Sequence, residues 1–215
     1  MRVLITAGGT REPIDAVRVI ANSSTGRLGA VLAERSRVAG LEVMLLRAAH
    51  GAPAPDGVIA HAFSTSADLA SLLEEHASDA DVIVHAAAVA DYLPVPEAGK
   101  LSSDAEELVL RLRRAPKLVD ALRRFAPEAL LIGFKLTAGV DEATRLAAAA
   151  SLLRRADLDL VVANDIERTG PADHEAVLLD RDGGTERCSG GKAAIAEALV
   201  SRALAHPVGR EARSS

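Results

Sequence analysis

Short apolar runs and amphipathic stretches alternate along this chain of 215 residues. Runs dense in Val, Ile and Leu predict strands at Val3–Thr6, Glu42–Leu46, Gly57–His61, Asp81–His85, Leu130–Phe134 and Leu158–Ala163. Helical spacing of the apolar residues predicts helices at Gly26–Ala39, Ser66–His76, Pro116–Phe125 and Asp141–Arg155, and a last one over Lys192–Ala205. This alternation implies an α/β fold, a Rossmann-like three-layer sandwich whose mostly parallel sheet carries helices on both faces. It is interrupted twice. Tyr92–Arg114 mixes Leu108, Val109, Leu110 and Leu112 with Arg and Glu without a helical period, which predicts a flap-like excursion. Glu175–Cys188 predicts a hairpin turned at Asp182-Gly-Gly184. We expect one domain over 1–205 and a polar, frayed tail over 206–215.

The link from the first strand to the first helix is unusually long. The strand runs straight into Gly8 and Gly9, but the helix begins only near Thr25. A dinucleotide-binding turn needs about six residues in G-x-G-x-x-G order, and that order is absent. The glycines and the helix start still point to an anionic ligand at the carboxyl end of the sheet.

Composition narrows the class. A hydrophobic fraction of 49% and a charged fraction of 26% fit a water-soluble globular protein. The net charge of −5, without a basic stripe, argues against a nucleic-acid surface. The start of the chain lacks a secretory pattern, and no apolar run reaches the roughly 18 residues of a spanning helix. Lone Cys188 permits neither an intrachain disulfide nor a Cys-rich metal site. A cytoplasmic enzyme that avoids membranes is the simplest expectation.

Three segments carry candidate chemistry. Asn22-Ser-Ser-Thr-Gly-Arg-Leu-Gly29 reads either as a capped helix start or as an anion site in which N–H groups and hydroxyls receive a phosphate. Asn22 precedes the cap and has no evident capping duty. His85-Ala-Ala-Ala-Val-Ala-Asp-Tyr92 ends a strand in small residues that let a flat ring approach, with Asp91 able to accept from ribose hydroxyls. Tight strand–helix packing with a capping Asp is the alternative. His85 reads as a core histidine and is left without a role. Lys100-Leu-Ser-Ser-Asp104 falls in the excursion, where a lysine is ordinarily just solvated. Arg111, Arg113, Arg114 and Lys117 form a basic segment suited to closing over a polyphosphate.

Together these segments resemble phosphopantothenate–cysteine ligase of coenzyme A biosynthesis, over about Arg2–Leu204. The resemblance is carried by Thr6-Ala-Gly-Gly-Thr-Arg-Glu-Pro-Ile-Asp15, Asn22–Gly29, His85–Tyr92, Lys100–Ser103, Ala115-Pro-Lys117, Ile132-Gly-Phe-Lys135 and Val162-Ala-Asn-Asp165. Lys-Leu-Ser-Ser at 100–103 suits the stand-alone bacterial form rather than the form fused to a flavin decarboxylase, so neither decarboxylation nor FMN is expected. The resemblance implies attack of the 4′-phosphopantothenate carboxylate on the α-phosphate of CTP, with Mg²⁺, giving an acyl-cytidylate and pyrophosphate. The amine of cysteine then displaces CMP. ATP is the alternative nucleotide.

Carried over position by position, Asn22 and Lys100 are the expected catalytic residues. Ala87, Ala88, Asp91, Ala115, Pro116, Lys117, Phe134, Arg154 and Arg155 are expected to bind nucleotide. Gly8, Gly9, Thr10, Arg11, Ser24, Thr25 and Gly26 are expected around the substrate and its phosphate. No protein metal site is expected. The chain departs from fused relatives on the helix before Ala163-Asn-Asp165, where Ser151, Leu152, Arg154 and Arg155 replace two lysines. Which of them takes over is open at this point. The resemblance also implies a homodimer whose flap completes the neighbouring site. A short-chain nicotinamide reductase shares such a sheet, but Pro96 stands where Tyr92 would need a lysine. A binding-only nucleotide sensor is the remaining alternative.

Overall fold

The computed structural model describes residues 1–96, 99–102, 106–169 and 174–207. The chain opens with β1 (Arg2–Ala7), β2 (Arg11–Pro13), β3 (Val19–Ala21), α1 (Arg27–Val38), β4 (Glu42–Ala48), β5 (Ile59–Phe63) and α2 (Ser66–His76). Then come β6 (Val82–His85), β7 (Tyr92–Pro94), β8 (Leu112–Arg114), a 3₁₀ turn at Leu118–Ala121, and α3 (Leu122–Phe125). The last third holds β9 (Leu130–Thr137), α4 (Glu142–Arg155), β10 (Leu160–Thr169), β11 (His174–Asp180), β12 (Thr185–Cys188) and α5 (Gly191–Ala205).

One eight-stranded sheet runs in the order β12-β11-β10-β9-β6-β1-β4-β5. Pairing is parallel from β10 through to β5, and only β11 and β12 run antiparallel. Helices cover both faces, which explains why the central strands are apolar on both sides. On one face Val3, Ile5, Val84 and Val162 pack under Leu32 of α1 and Ile195 and Leu199 of α5. On the other, Leu4, Ile83, Leu131 and Val161 pack under Leu69 and Leu73 of α2, Leu122 of α3 and Leu152 of α4. The expected Rossmann-like sandwich is therefore the observed fold. Among the described residues no helix is long and apolar enough to cross a membrane.

Several boundaries shift for identifiable reasons. The strand expected at Gly57–His61 begins at Ile59, because Gly57 takes φ +76° in a turn, and it runs on to the buried anchor Phe63. The helix expected over Pro116–Phe125 shrinks to the 3₁₀ turn and the single turn of α3, held to the core by fully buried Leu122. The long first link is not plain loop. Its middle pairs as the small ribbon β2–β3. The excursion from Tyr92 returns as predicted, with β7 against β8. The 174–188 hairpin turns at Gly183, φ +86°, where Asp180 Oδ1 accepts from the N–H groups of Asp182 and Gly184. Ser103, Asp104 and the tail from 208 onward lie outside the described residues.

Candidate functional site

Strand order reverses between β1 and β6: β4 and β5 extend the sheet on one side, β9 and β10 on the other. At such a switch point the loops leaving the two strands diverge and open a crevice at their carboxyl ends. A cleft of about 960 Å³ lies there. Its floor is Ala7, His85–Asp91, Phe134–Leu136, Asn164 and Ile166. Asn22–Gly29 and Lys192 form one wall, and Pro116–Val119 with Ala148, Ser151, Leu152 and Arg155 form the other.

The loops after β1 and β6 are zipped together beneath this cleft. Ala88 donates its N–H to the Gly8 carbonyl at 2.8 Å and accepts from Thr10 N–H at 3.1 Å. The fully buried Thr10 hydroxyl accepts from Ala90 N–H at 3.1 Å. Asn22 joins from above, its Nδ2 donating to the Ala88 carbonyl at 3.0 Å. That bond leaves the amide oxygen for a ligand. It also gives Asn22 the structural duty that its sequence position concealed.

The residues expected at the site divide into two groups. Asn22, Ser24, Thr25, Gly26, Ala87, Ala88, Asp91, Pro116, Lys117, Phe134 and Arg155 all line the cleft. Gly8, Gly9, Thr10, Arg11, Lys100, Ala115 and Arg154 do not. The two glycines serve close packing. Gly8 has φ +92° and a Cβ there would lie 2.5 Å from Ala48 Cβ, while a Cβ on Gly9 would lie 2.4 Å from the Asn22 carbonyl oxygen. Arg11 is exposed on β2, and Ala115 is buried with its N–H on the Asp91 carbonyl. Arg113 and Arg114 are exposed on β8, away from the cleft, as is Arg111 just before it. On α4, Ala148, Ser151, Leu152 and Arg155 share the stripe that faces the cleft, and Arg154 lies off it.

Lys100 is exposed outside the cleft of its own chain, but its neighbours are tied down. Gly99 accepts from Ala16 N–H at 2.9 Å, and Leu101 donates to Asp15 Oδ2 at 3.0 Å. Asp15 also accepts from Val17 N–H, Arg18 N–H and the Arg18 guanidinium. The Val17 bond, followed by those from Leu101 and Arg18, holds its carboxyl below the usual range despite the opposing effect of burial.

Charge inside the cleft opposes that of the protein as a whole. Lys117 pairs with Asp91, and Arg155 Nε with Asp120 at 3.1 Å. Arg27, Lys135 and Lys192 also line the cleft, and sequence reasoning assigned none of them a role. Lys135 lay within a quoted motif, whereas Lys192 carried no local signal beyond the glycines before it. The Asn164 end of the floor is braced by buried Asp165, which accepts from the Thr137 hydroxyl at 2.7 Å and from N–H groups of Gly139, Glu167 and Val140. The Thr137 bond leads in holding this carboxyl far below the ordinary range.

Comparison with known proteins supplies the lineage. Residues 1–206 match the family described as DNA/pantothenate metabolism flavoprotein C-terminal domain. The chain belongs to this family. Relatives include the coenzyme A biosynthesis bifunctional protein CoaBC of Thermococcus kodakarensis, 36% identical over 84% of this chain and 45% of that protein. The CoaBC of Methanocaldococcus jannaschii is 36% identical over 94% of this chain and 50% of that protein. The chain thus spans about half the length of these curated relatives. The crystal structure of the DNA/pantothenate metabolism flavoprotein from Streptococcus pneumoniae superposes with a TM-score of 0.90 at 31% identity, covering 96% of this chain and 100% of that one.

Proposed function

We propose that this chain is a phosphopantothenate–cysteine ligase that activates its acid with CTP. The observation that carries the reading is the convergence of Asn22, the α1 start and Ala87–Asp91 with a set of cations in one cleft. Membership of the family and the coenzyme A relatives support it.

A carboxylate is a poor acylating group. Transfer of a cytidylyl group to its oxygen, with release of pyrophosphate, makes that oxygen part of a good leaving group for attack by the cysteine amine. The protein's task is positioning and charge neutralisation. Asp91 accepts from ribose hydroxyls, and the Phe134 ring lies beside the base. Lys117, Lys135 and Arg155 neutralise the phosphates, with Arg155 taking the place of a phosphate lysine and Ser151 that of its companion. The start of α1 receives the phosphate of 4′-phosphopantothenate through Ser24, Thr25 and Gly26. Asn22 directs its free amide oxygen and edge toward the acyl centre. Lys100 neutralises charge there from a neighbouring subunit, since it lies outside the cleft of its own chain. Exposed Tyr92, Val95, Leu108 and Val109 on the excursion, with Val17 and Val19 on the first ribbon, favour that second copy. Mg²⁺ enters on the triphosphate as part of the substrate, the way a hard cation that keeps most of its waters is usually brought to a nucleotide site.

The test is pyrophosphate release by purified protein with Mg²⁺, 4′-phosphopantothenate and CTP or ATP, with and without cysteine. Cysteine-dependent formation of CMP is the expected result. Formation of AMP instead would replace the nucleotide, and absence of release with either would overturn the ligase reading.

A further inference from the structure

His85 has no part in the proposed chemistry, yet its surroundings specify its protonation. Thr6 on β1 and His85 on β6 are the last register partners of the two strands, at the switch point. Thr6 is fully buried and His85 only 7% exposed. A threonine hydroxyl has one proton to donate and two lone pairs with which to accept. Thr6 Oγ1 accepts from Ala87 N–H at 3.1 Å and meets His85 Nδ1 at 2.9 Å. Among the described residues no other acceptor is found for its proton, and burying that proton unpaired is costly. The hydroxyl therefore donates to Nδ1. A neutral imidazole that accepts at Nδ1 carries its own proton on Nε2. Burial pushes His85 down to about 4, so the ring is neutral at physiological pH.

The other ring nitrogen faces the cleft. His85 is part of the floor. Among the described residues the buried side-chain polar atoms without a partner are His76 Nε2 and Arg145 Nε. His85 Nε2 is not one of them, and among the described residues no acceptor is found for it, so it is not sealed in the core and the cleft that His85 lines is the opening it has. The small side chains of Ala86, Ala87 and Ala88 follow it and leave room for a flat ring. The cleft's cations are on other elements, where phosphates are served. A neutral donor on this floor matches an uncharged acceptor, because hydrogen bonding to it requires no change of protonation on either side.

We propose that His85 is a fixed, neutral hydrogen-bond donor, through Nε2–H, to a ring nitrogen or carbonyl acceptor of the nucleotide base. Thr6 is the positioning residue that sets its tautomer. The inference rests on the nucleotide reading of the cleft and adds a specificity contact to it.

Two substitutions separate this contact from a packing role. His85→Asn keeps an oxygen near the Nδ1 position, able to take the Thr6 proton, but ends short of the cleft. His85→Gln places an amide N–H near the Nε2 position. CTP is the probe, followed by titration calorimetry and by steady-state kinetics. One neutral hydrogen bond predicts that His85→Asn raises the Kd and KM for CTP about three- to tenfold. The KM for cysteine and the melting temperature should hold, and His85→Gln should recover most of the CTP affinity. Unchanged CTP affinity in folded His85→Asn, or equal losses in both variants, would overturn the proposal. Wild-type protein that binds CTP without turnover would sink the ligase reading alone, since calorimetry still decides His85. Wild-type protein that binds no CTP would overturn both.

Discussion

Helix starts that lie away from the cleft and helix starts that open onto it are built differently. At α2, Thr65 and Asp68 form a reciprocal capping box, and Glu12 accepts from Ser66 N–H at 2.9 Å. At α4, Asp141 accepts from Thr144 N–H at 2.7 Å. At α1, Gly26 is left-handed at φ 72° and no side chain caps it; the Thr25 hydroxyl approaches Arg27 N–H only to 3.5 Å. The first turn of α5, which bears Lys192, likewise follows left-handed Gly190 and has no side-chain cap. All helices share the same need for partners at their first N–H groups. Where the protein itself meets it, the helix is finished. Where it does not, a ligand can.

This contrast is best broken at the chemistry first. Lys100→Gln is expected to lower kcat by about 10²–10³, the cost of losing one charge-stabilising donor. Asn22→Asp should let pyrophosphate release proceed while amide product falls. Near-normal product formation in both variants would remove these two from the site.

Acid should separate the cleft from the capped helices. His85 has its folded pKa depressed from 6.5 to about 4, so the unfolded chain binds the extra proton between those values. Its contribution is complete above 6.5 and is lost as pH falls toward 4, amounting to about 3 kcal/mol. The cap carboxylates Asp68 and Asp141 are lowered from 3.8 by their hydrogen bonds to the helix starts, so their contribution is lost only below that value. Denaturant melts across pH 7 to 3 should show the first loss in wild type and a flattened one in His85→Gln.

Capping substitutions sharpen the contrast at smaller scale. Thr65→Ala and Asp141→Ala should each cost about 1 kcal/mol of stability without changing KM. Ser24→Ala and Thr25→Ala should do the reverse, raising the KM for 4′-phosphopantothenate about threefold with little change in melting temperature. Stability loss without a KM change in the second pair would make the start of α1 an ordinary cap.

Much of the cleft lining was legible because its residues lie in short contiguous runs. Asn22–Gly26 and Ala87–Asp91 reach the cleft together, each run following one strand or leading into one helix. The expected residues that fall outside the cleft lining share a different cause. Gly8, Gly9 and Thr10 are adjacent to the site in sequence yet face the packing beneath it. Arg155 rather than Arg154 faces the cleft because α4 is rotationally set by Leu152 and Ala149 against the sheet.

By itself the sequence determined whatever depends on neighbours along the chain. Strand–helix alternation specified the parallel sheet, Thr65 and Asp68 set the start of α2, and Asp182-Gly-Gly184 set the last hairpin. Those signals act over a few residues and need no knowledge of the rest. Tertiary structure alone decided what depends on residues brought together from afar. It converted Pro116–Phe125 into a 3₁₀ turn and a single helical turn, brought Lys192 to a cleft that begins at Ala7, and joined Thr6 to His85. The tautomer of that histidine follows from one hydroxyl proton with a single acceptor, and only packing two strands side by side creates that condition.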